Sequence, residues 1–202
     1  RTATRADLVD DEILQWMKKA GCVKLEIGVE TGSPRMLKII AKDVNNELVK
    51  RAFGLIQANG IATGAFFMAG FPDETAEDMA QTFQLMKELG IEEIAYNIFD
   101  PMPGSDLLKR CEELGSVTKD ADWSNFRFWP DSHFMINMTK EDFLVKATEI
   151  GKWVYSYNNS FSVKFRKLRS LIWFYILNDP GTLVKKAVHY ISRRNKVHRL
   201  RS

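Results

Sequence analysis

The stretch that decides the fold is residues 60–75, which read GIATGAFFMAGFPDET. Residues 46–59, just before it, place apolar side chains on one helical face, and Gly60 interrupts that pattern. A glycine immediately after a helix can adopt the left-handed conformation that turns the chain into a strand. The stretch therefore predicts a turn at Gly60, a strand that ends near Gly70, and a new helix that begins at Thr75.

The same order of helix, glycine and strand occurs on either side of this stretch. Residues 10–20 have a helical apolar pattern that stops at Gly21, and the strand pattern CVKLEIGVE follows. Residues 75–89 repeat the arrangement, since Gly90 stops the helix and IEEIAYNIF follows. Helices and strands that alternate in this way form βα units around a parallel sheet. We therefore predict an α/β fold with parallel strands.

Capping signals mark three helix starts, namely Ser33-Pro34, Thr75 with Asp78, and Thr139 with Asp142. The last of them opens a predicted helix over residues 140–157. Further helices are predicted near residues 161–177 and 182–194. The polar residues 1–11 are expected to lead into the first helix.

The three predicted strands are too few to close a (β/α) barrel, which has eight strands in its standard form. Either they form half of a larger barrel or the sheet is open. In both cases ligands bind beyond the carboxyl ends of the strands. Those ends are rich in glycine, proline and polar residues, and they lie at residues 28–33, 69–75 and 100–105. We predict that this edge of the sheet is functional.

Two features of this edge have both a functional and a structural interpretation. Glu30 ends an apolar strand, so its carboxylate can accept hydrogen bonds from ribose hydroxyls, or it can stabilise the start of the next helix. Gly64 and Gly70 border a strand whose backbone can lie flat against an aromatic ring system. The alternative is a core strand that enters a capped helix.

The motifs of the edge together resemble the radical SAM superfamily, whose members use S-adenosylmethionine (SAM). IGVETGSPRMLKIIAK, GAFFMAGFPDET and YNIFDPMPGSDL are similar to the fourth-, fifth- and sixth-strand segments of that family. Their order and spacing agree with the family from about residue 7 to residue 110. The resemblance implies the C-terminal half of a six-stranded radical SAM barrel, that is, a partial (β/α) barrel with a helical C-terminal extension.

The resemblance also implies a set of cofactor-binding residues. Glu30 would bind the SAM ribose and Lys42 the SAM carboxylate, although a lysine at the end of a helix can also be simply solvated. Met68 and Phe99 would flank the adenine, partly through backbone groups. Phe66 stands where some members have a polar residue near the ribose.

Gly70, with Pro72 and Glu74, would shape the turn beneath this pocket more than it would contact the ligand. The family's small-molecule substrate would bind in the same barrel. The resemblance leaves the reaction open among methyl transfer, ring formation and other hydrogen-abstraction chemistry.

The chain lacks the CxxxCxxC loop with which the family binds its 4Fe-4S cluster. Its only cysteines are Cys22 and Cys111, which we interpret as small hydrophobic residues and not as disulfide or zinc ligands. The cluster would be bound by a missing N-terminal half, and it would there cleave SAM to a 5′-deoxyadenosyl radical. We therefore expect a fragment that is inactive alone, with cobalamin as a further cofactor on a looser resemblance of residues 174–180.

We predict a barrel part over residues 1–115, an aromatic lid or strap over 116–138, and a helical extension over 139–202. Residues 161–202 carry 11 Lys and Arg against one Asp, whereas residues 1–160 carry 18 basic and 25 acidic residues. This basic tail suits either contact with an anionic membrane surface or a solvated terminal helix. Nucleic-acid binding is not expected, because no recognition motif accompanies the charges.

No signal segment or membrane-spanning run is evident, so we expect a cytoplasmic protein, peripheral to the inner membrane face if the tail binds lipid. Two alternatives to a radical SAM enzyme remain open. One is a catalytically inactive remnant that keeps the fold. The other is a membrane-docking module that works through the basic tail.

Overall fold

The computed structural model describes residues 1–118, 133–178 and 180–182 of the chain. Within them, a single open sheet contains four parallel strands in the order β1 (Thr2–Thr4), β2 (Lys24–Glu30), β3 (Ala62–Ala69) and β4 (Glu93–Ile98). The predicted α/β fold with parallel strands is confirmed, and its open edges agree with part of a barrel.

Helices alternate with these strands and then continue beyond the sheet. They are α1 (Asp11–Lys19), α2 (Pro34–Ile39), α3 (Asn46–Ala58), α4 (Ala76–Glu88), α5 (Asp106–Glu113), α6 (Lys140–Asn159) and α7 (Phe161–Asn178). The helices predicted over residues 140–157 and 161–177 correspond to α6 and α7. Residues 119–132, most of the predicted lid, and the tail beyond residue 182 lie outside the described residues.

The first strand was not predicted from the sequence. Residues 1–11 contain β1 and a 3-10 turn at Ala6–Leu8 before α1 begins. The strand is only three residues long, and its two threonines offer no apolar pattern. It exists because it pairs with β2, where Thr2 lies beside Leu25. Its place in the sheet is therefore decided by a neighbouring strand and not by its own sequence.

Local signals fixed the other element boundaries. Gly21, Gly60 and Gly90 follow α1, α3 and α4, and their φ angles of 82°, 71° and 56° lie in the left-handed region. The N-caps Ser33, Thr75 and Thr139 each accept a hydrogen bond from the backbone of their helix. The predicted starts and stops are thus confirmed because each depends on neighbouring residues alone.

Among the described residues, apolar side chains of the helices and strands cover one face of the sheet. Leu25, Ile27, Val29 and Phe67 are fully buried there. They belong to one core cluster together with buried residues of α3, α4 and α6. The opposite face carries the intervening residues of the strands, most of which are small or charged, together with the larger side chains of Phe66 and Met68.

Helix α6 also closes the outer edge of β4. The Asn158 side chain accepts a hydrogen bond from the backbone N–H of Ile94 at 3.0 Å and donates one to its carbonyl at 2.8 Å. The Tyr157 hydroxyl donates to the carbonyl of Ile91 at 2.7 Å. These bonds satisfy backbone groups that an edge strand would otherwise leave unpaired. In the part of the chain that the structure describes, no helix combines the length and the hydrophobicity needed to span a membrane.

Candidate functional site

The structure brings Glu30 and Lys42 into direct contact at the carboxyl end of β2. The Lys42 ammonium donates a hydrogen bond to Glu30 Oε1 at 3.1 Å. Their side chains are 25% and 15% exposed, so the pair is accessible without being fully solvated. The carboxylate and the ammonium are twelve residues apart in sequence, and only the turn through α2 makes them neighbours.

The backbone around this pair has an unusual conformation. Glu30 has a φ of 68° and Ala41, next to Lys42, has a φ of 52°. They are the only non-glycine residues with positive φ in the described ranges. A left-handed conformation costs a residue with a Cβ roughly 1–2 kcal/mol. Such costs concentrate at functional sites, where the surrounding structure imposes them.

Gly28 provides the space in which the pair meets. A Cβ atom there would lie 2.7 Å from Glu30 Oε1 and 3.3 Å from the Lys42 ammonium. The strand pairing shifts register between Gly28 and Glu30, which lets the carboxylate fold back over the glycine. The result is a shallow cradle with one anionic acceptor and one cationic donor. These groups suit a ligand that carries both hydroxyl groups and a carboxylate.

Phe66 borders the same cradle. It pairs in register with Gly28 on one side and with Ala95 on the other. Its side chain is half-buried between two small residues. Phe66 therefore offers an apolar ring and no polar contact at this position.

Met68 and Phe99 belong to a second apolar cluster above the strand ends. Phe99 is 4% exposed, and its ring lies 5.2 Å from that of Phe71 and 6.0 Å from that of Phe134, measured between centroids. Met68 is half-buried against this cluster. Met36 of α2 also belongs to it, and Ile40, at the C-cap of that helix, packs against it. The predicted site residues thus form two groups, a charged pair and an apolar cluster, which α2 connects.

Gly70 and Gly64 both face protein side chains. A Cβ on Gly70, whose φ is 93°, would lie 3.1 Å from the Phe143 ring. A Cβ on Gly64 would lie 2.9 Å from Glu26 and 3.0 Å from Lys24. These side chains lie close to both glycines, and the interpretation that the strand backbone lies flat against an aromatic ring system stays a prediction.

Glu74 fixes the turn that follows Gly70. Its side chain is fully buried, and Oε2 accepts a hydrogen bond from the Gly70 N–H at 2.6 Å. Oε1 and the hydroxyl of Tyr96 are buried without a hydrogen-bond partner among the described residues. Burial raises the pKa of Glu74 to about 7, against the effect of the Gly70 N–H. The Glu74 carboxyl group therefore holds its proton to a higher pH than an exposed glutamate does.

Sequence reasoning missed a network that ties the loops of the edge together. Arg110 of α5 donates to both oxygens of Asp73 at 2.9 and 2.8 Å. Arg35 of α2 donates to the Asp73 carbonyl at 2.7 Å, and Asn137 donates to the same carbonyl at 2.9 Å. Arg35 also pairs with Asp78 at the start of α4. No sequence motif predicts these contacts, because each joins residues that are distant in sequence.

The charges of this network are strongly paired. Burial alone would raise the pKa of Asp78, but hydrogen bonds from Arg35, Ser33 and Thr75 lower it to about 2. Hydrogen bonds from Arg110 likewise lower the pKa of Asp73. Both carboxylates therefore stay ionised at neutral pH and hold the segments after β2 and β3 in place.

A cavity of about 670 Å³ opens beside this network, between α2 and α5. Its apolar wall includes Ile40 and Leu107, and its polar wall includes Asp73 and Arg110. Ile40 and Leu107 also contact the cluster that contains Phe99. The cavity is large enough for a small organic molecule.

The described residues contain no group of three or more His, Cys, Asp or Glu arranged to hold a metal ion. Cys22 is half-buried, Cys111 is buried, and both are free. Burial raises the pKa of the Cys111 thiol, which disfavours the thiolate that metal binding requires.

Comparison with known proteins finds similarity in sequence and in fold. Residues 1–86 match the model of the radical SAM superfamily. Over these residues the chain is similar to that superfamily. Over 121 residues it is 31% identical to the anaerobic magnesium-protoporphyrin IX monomethyl ester cyclase of Rubrivivax gelatinosus, a match that covers 60% of this chain and 21% of that protein.

Two solved structures of radical SAM enzymes share the fold. Coproporphyrinogen III oxidase from Escherichia coli matches with a TM-score of 0.58 and 13% identity, over 79% of this chain and 33% of that one. The methyltransferase TsrM from Kitasatospora setae, solved with cobalamin and a 4Fe-4S cluster, matches with a TM-score of 0.52 and 18% identity, over 68% of this chain and 28% of that one. The chain thus spans about a fifth of the curated relative and about a third of the solved ones.

Proposed function

We propose that this chain forms the ribose, adenine and carboxylate part of a SAM pocket in a radical SAM enzyme. The observation that carries the proposal is the Glu30–Lys42 pair at 3.1 Å over Gly28, with Glu30 in a left-handed conformation. The left-handed conformation of Glu30 costs free energy, and it turns the carboxylate toward the Lys42 ammonium. This favours a role for the pair beyond packing.

SAM matches the two charges of the pair. Its ribose hydroxyls can donate to the Glu30 carboxylate, and its own carboxylate can replace Glu30 as the acceptor for Lys42. In the free protein the two side chains neutralise each other. A ligand with both ribose hydroxyls and a carboxylate replaces the Glu30–Lys42 ion pair with two polar contacts, one to each side chain. A ligand with only the hydroxyls or only the carboxylate leaves one of the two side-chain charges unpaired.

The apolar cluster around Phe99 supplies the remaining part of the pocket in this proposal. Met68 is half-buried against that cluster, so its exposed part can contact a flat purine ring. The backbone of Phe99 is already fixed by a hydrogen bond from its N–H to the Ala69 carbonyl at 2.8 Å. Adenine would then lie against a preformed surface.

In this proposal the cysteines that bind the 4Fe-4S cluster come from a polypeptide segment that these 202 residues do not include. The cluster would supply the electron that cleaves SAM, and the residues of this chain would hold the nucleoside and the carboxylate in place. The cavity beside Arg110 would admit part of a small-molecule substrate. The chain alone would be inactive.

The proposal extends to cobalamin as a further cofactor of the whole protein. The support is the fold that this chain shares with the methyltransferase TsrM, which was solved with cobalamin bound. Purified whole protein would then show the visible absorption of a cobalamin. A whole protein that neither copurifies with cobalamin nor binds it on incubation would limit the proposal to SAM and the cluster.

The SAM pocket is tested by binding and not by turnover. The whole protein, reconstituted anaerobically, is titrated with SAM and, separately, with 5′-deoxyadenosine, which lacks the carboxylate. Glu30→Gln should weaken both ligands, whereas Lys42→Met should weaken SAM alone. The loss of a hydrogen bond to a charged group costs roughly 1.5–3 kcal/mol, so each affected Kd should rise about tenfold to hundredfold.

Two nearby substitutions serve as matched controls. Lys38→Met removes an exposed lysine of α2, and Glu47→Gln neutralises a glutamate of α3 whose side chain is 84% exposed. Both should leave the two Kd values unchanged. Unchanged SAM affinity in both Glu30→Gln and Lys42→Met, with the controls also unchanged, would remove the assignment of this pocket.

A further inference from the structure

Helix α7 exposes a continuous apolar stripe along most of its length. The stripe consists of Phe161 (84% exposed), Phe165 (57%), Leu168 (52%), Ile172 (37%) and Ile176 (47%). At about 100° per residue these five positions fall within an arc of about 80° on the helix surface. Isolated exposed apolar residues are common on protein surfaces, but a row of five on one helix face marks an interaction surface.

The opposite side of α7 is bound to the body of the protein. Val163 is fully buried, and the Arg166 guanidinium donates to the Ile91 carbonyl at 3.4 Å. Lys167 pairs with Glu93 at 3.3 Å. The helix is therefore held with a defined orientation, and the apolar stripe points away from the sheet.

The charge of α7 indicates what covers the stripe. Residues 161–178 include four Lys and Arg and no Asp or Glu. By helical register, Lys164 lies next to one margin of the stripe and Arg169 next to the other. Apolar residues in the centre, cations at both margins and no acidic residue are typical of a helix that lies on an anionic bilayer.

We propose that α7 docks this protein onto an anionic membrane surface, with the stripe in the upper acyl region and the flanking cations among the lipid phosphates. A protein groove could also cover an apolar stripe, but it would not require cations along both margins without a single acidic residue. In this docked position the Lys164 stem would lie along the apolar stripe while its ammonium reaches the headgroups. This surface lies on a different helix from the proposed SAM pocket, so the two proposals are independent.

The test measures flotation of the full 202-residue chain with vesicles of phosphatidylcholine alone and with added phosphatidylglycerol. The stripe variant carries Phe165→Asp and Leu168→Asp. Its matched control carries Val145→Asp and Tyr155→Asp on α6, where both side chains are exposed at 69% and 73%. The two variants therefore have the same charge change, and the control positions are at least as accessible as those of the stripe. A thermal melt by circular dichroism verifies that both variants remain folded.

We expect wild type and control to float with the phosphatidylglycerol vesicles, less so as salt increases, and the stripe variant to lose at least about tenfold in partitioning. Equal recovery of wild type on neutral and anionic vesicles would overturn the proposal. So would equal losses in the stripe variant and the control. A wild-type dimer in light scattering that the stripe variant dissociates, without vesicle binding by wild type, would assign the stripe to a second copy of the chain instead.

Discussion

The two faces of the sheet differ more than its parallel topology suggests. On the covered face Leu25, Ile27 and Phe67 are fully buried in one apolar core. On the open face the same strands carry Lys24, which pairs with Glu26 at 3.0 Å and with Glu93 at 2.8 Å. Parallel strands are usually apolar on both faces because helices cover both. Here one face provides the core and the other remains available for polar chemistry.

Glycine residues leave room for charged side chains on the open face. Lys24 on β2 reaches Glu93 on β4 across β3, and the strand between them carries Gly64 at that point. Gly28 plays the same part for Glu30 and Lys42. On the open face, side-chain volume is therefore low where charged groups must reach across the sheet. The covered face follows the opposite rule and fills every position.

The largest expected effect comes from two adjacent phenylalanines, one on each face of the sheet, whose substitution tests the difference in packing between the faces. Phe67→Ala on the covered face should lower the free energy of unfolding by about 3–5 kcal/mol, because it empties a fully buried position. Phe66→Ala on the open face removes the same group from a half-buried position and should cost less than half as much. Urea denaturation of both variants measures the difference. Equal losses would mean that the two faces are packed alike.

A smaller effect concerns the carboxyl groups. On the open face, hydrogen bonds from Arg1 and Lys24 outweigh burial and lower the pKa of Glu26, whereas burial raises the pKa of Glu74 to about 7. Because the pKa of Glu74 is higher in the folded protein than in the unfolded chain, protonation of Glu74 stabilises the fold. That contribution is complete below about pH 4.5 and is lost as the pH rises through about 7.

Wild type should therefore lose about 2–3 kcal/mol of unfolding free energy across this range relative to Glu74→Gln, whose side chain stays neutral. Urea denaturation at a series of pH values from 4.5 to 8 gives the two curves. Groups that titrate in both proteins cancel in the difference. Parallel curves would show that Glu74 is ionised in the folded protein throughout this range.

The smallest expected effect sharpens the contrast with two glycines. A Cβ on Gly32 would lie 2.8–2.9 Å from backbone atoms and Leu85 of α4, so Gly32→Ala should destabilise the fold by about 1–3 kcal/mol. A Cβ on Gly28 would meet only the flexible ends of Glu30 and Lys42. Gly28→Ala should change stability by less than about 1 kcal/mol while weakening SAM binding. The reverse order of stabilities would contradict the role given to Gly28.

Much of the fold could be predicted because its signals are local. Gly60 ends a helix through its own φ preference, and Thr75 with Asp78 starts the next through hydrogen bonds within one turn. The short strand at Thr2–Thr4 could not be predicted, since its pairing partner lies more than twenty residues away. The family could be recognised at the strand ends, where order and spacing survive in sequence.

The candidate site shows the same division. Glu30 and Lys42 were selected individually by their positions in the motif, but their 3.1 Å contact depends on the left-handed backbone at Glu30 and Ala41. The network around Asp73 gave no sequence signal, because Arg110 belongs to a separate helix after β4.

The sequence by itself determined the alternation of helices and strands and the similarity to the radical SAM superfamily, because each depends on neighbouring residues. Only the tertiary structure decided which face of the sheet remains open, how Glu30 meets Lys42, and which side of α7 points outward. Those outcomes depend on which distant segments pack together. Packing of that kind is set by the three-dimensional fit of volumes and charges, which no local pattern records.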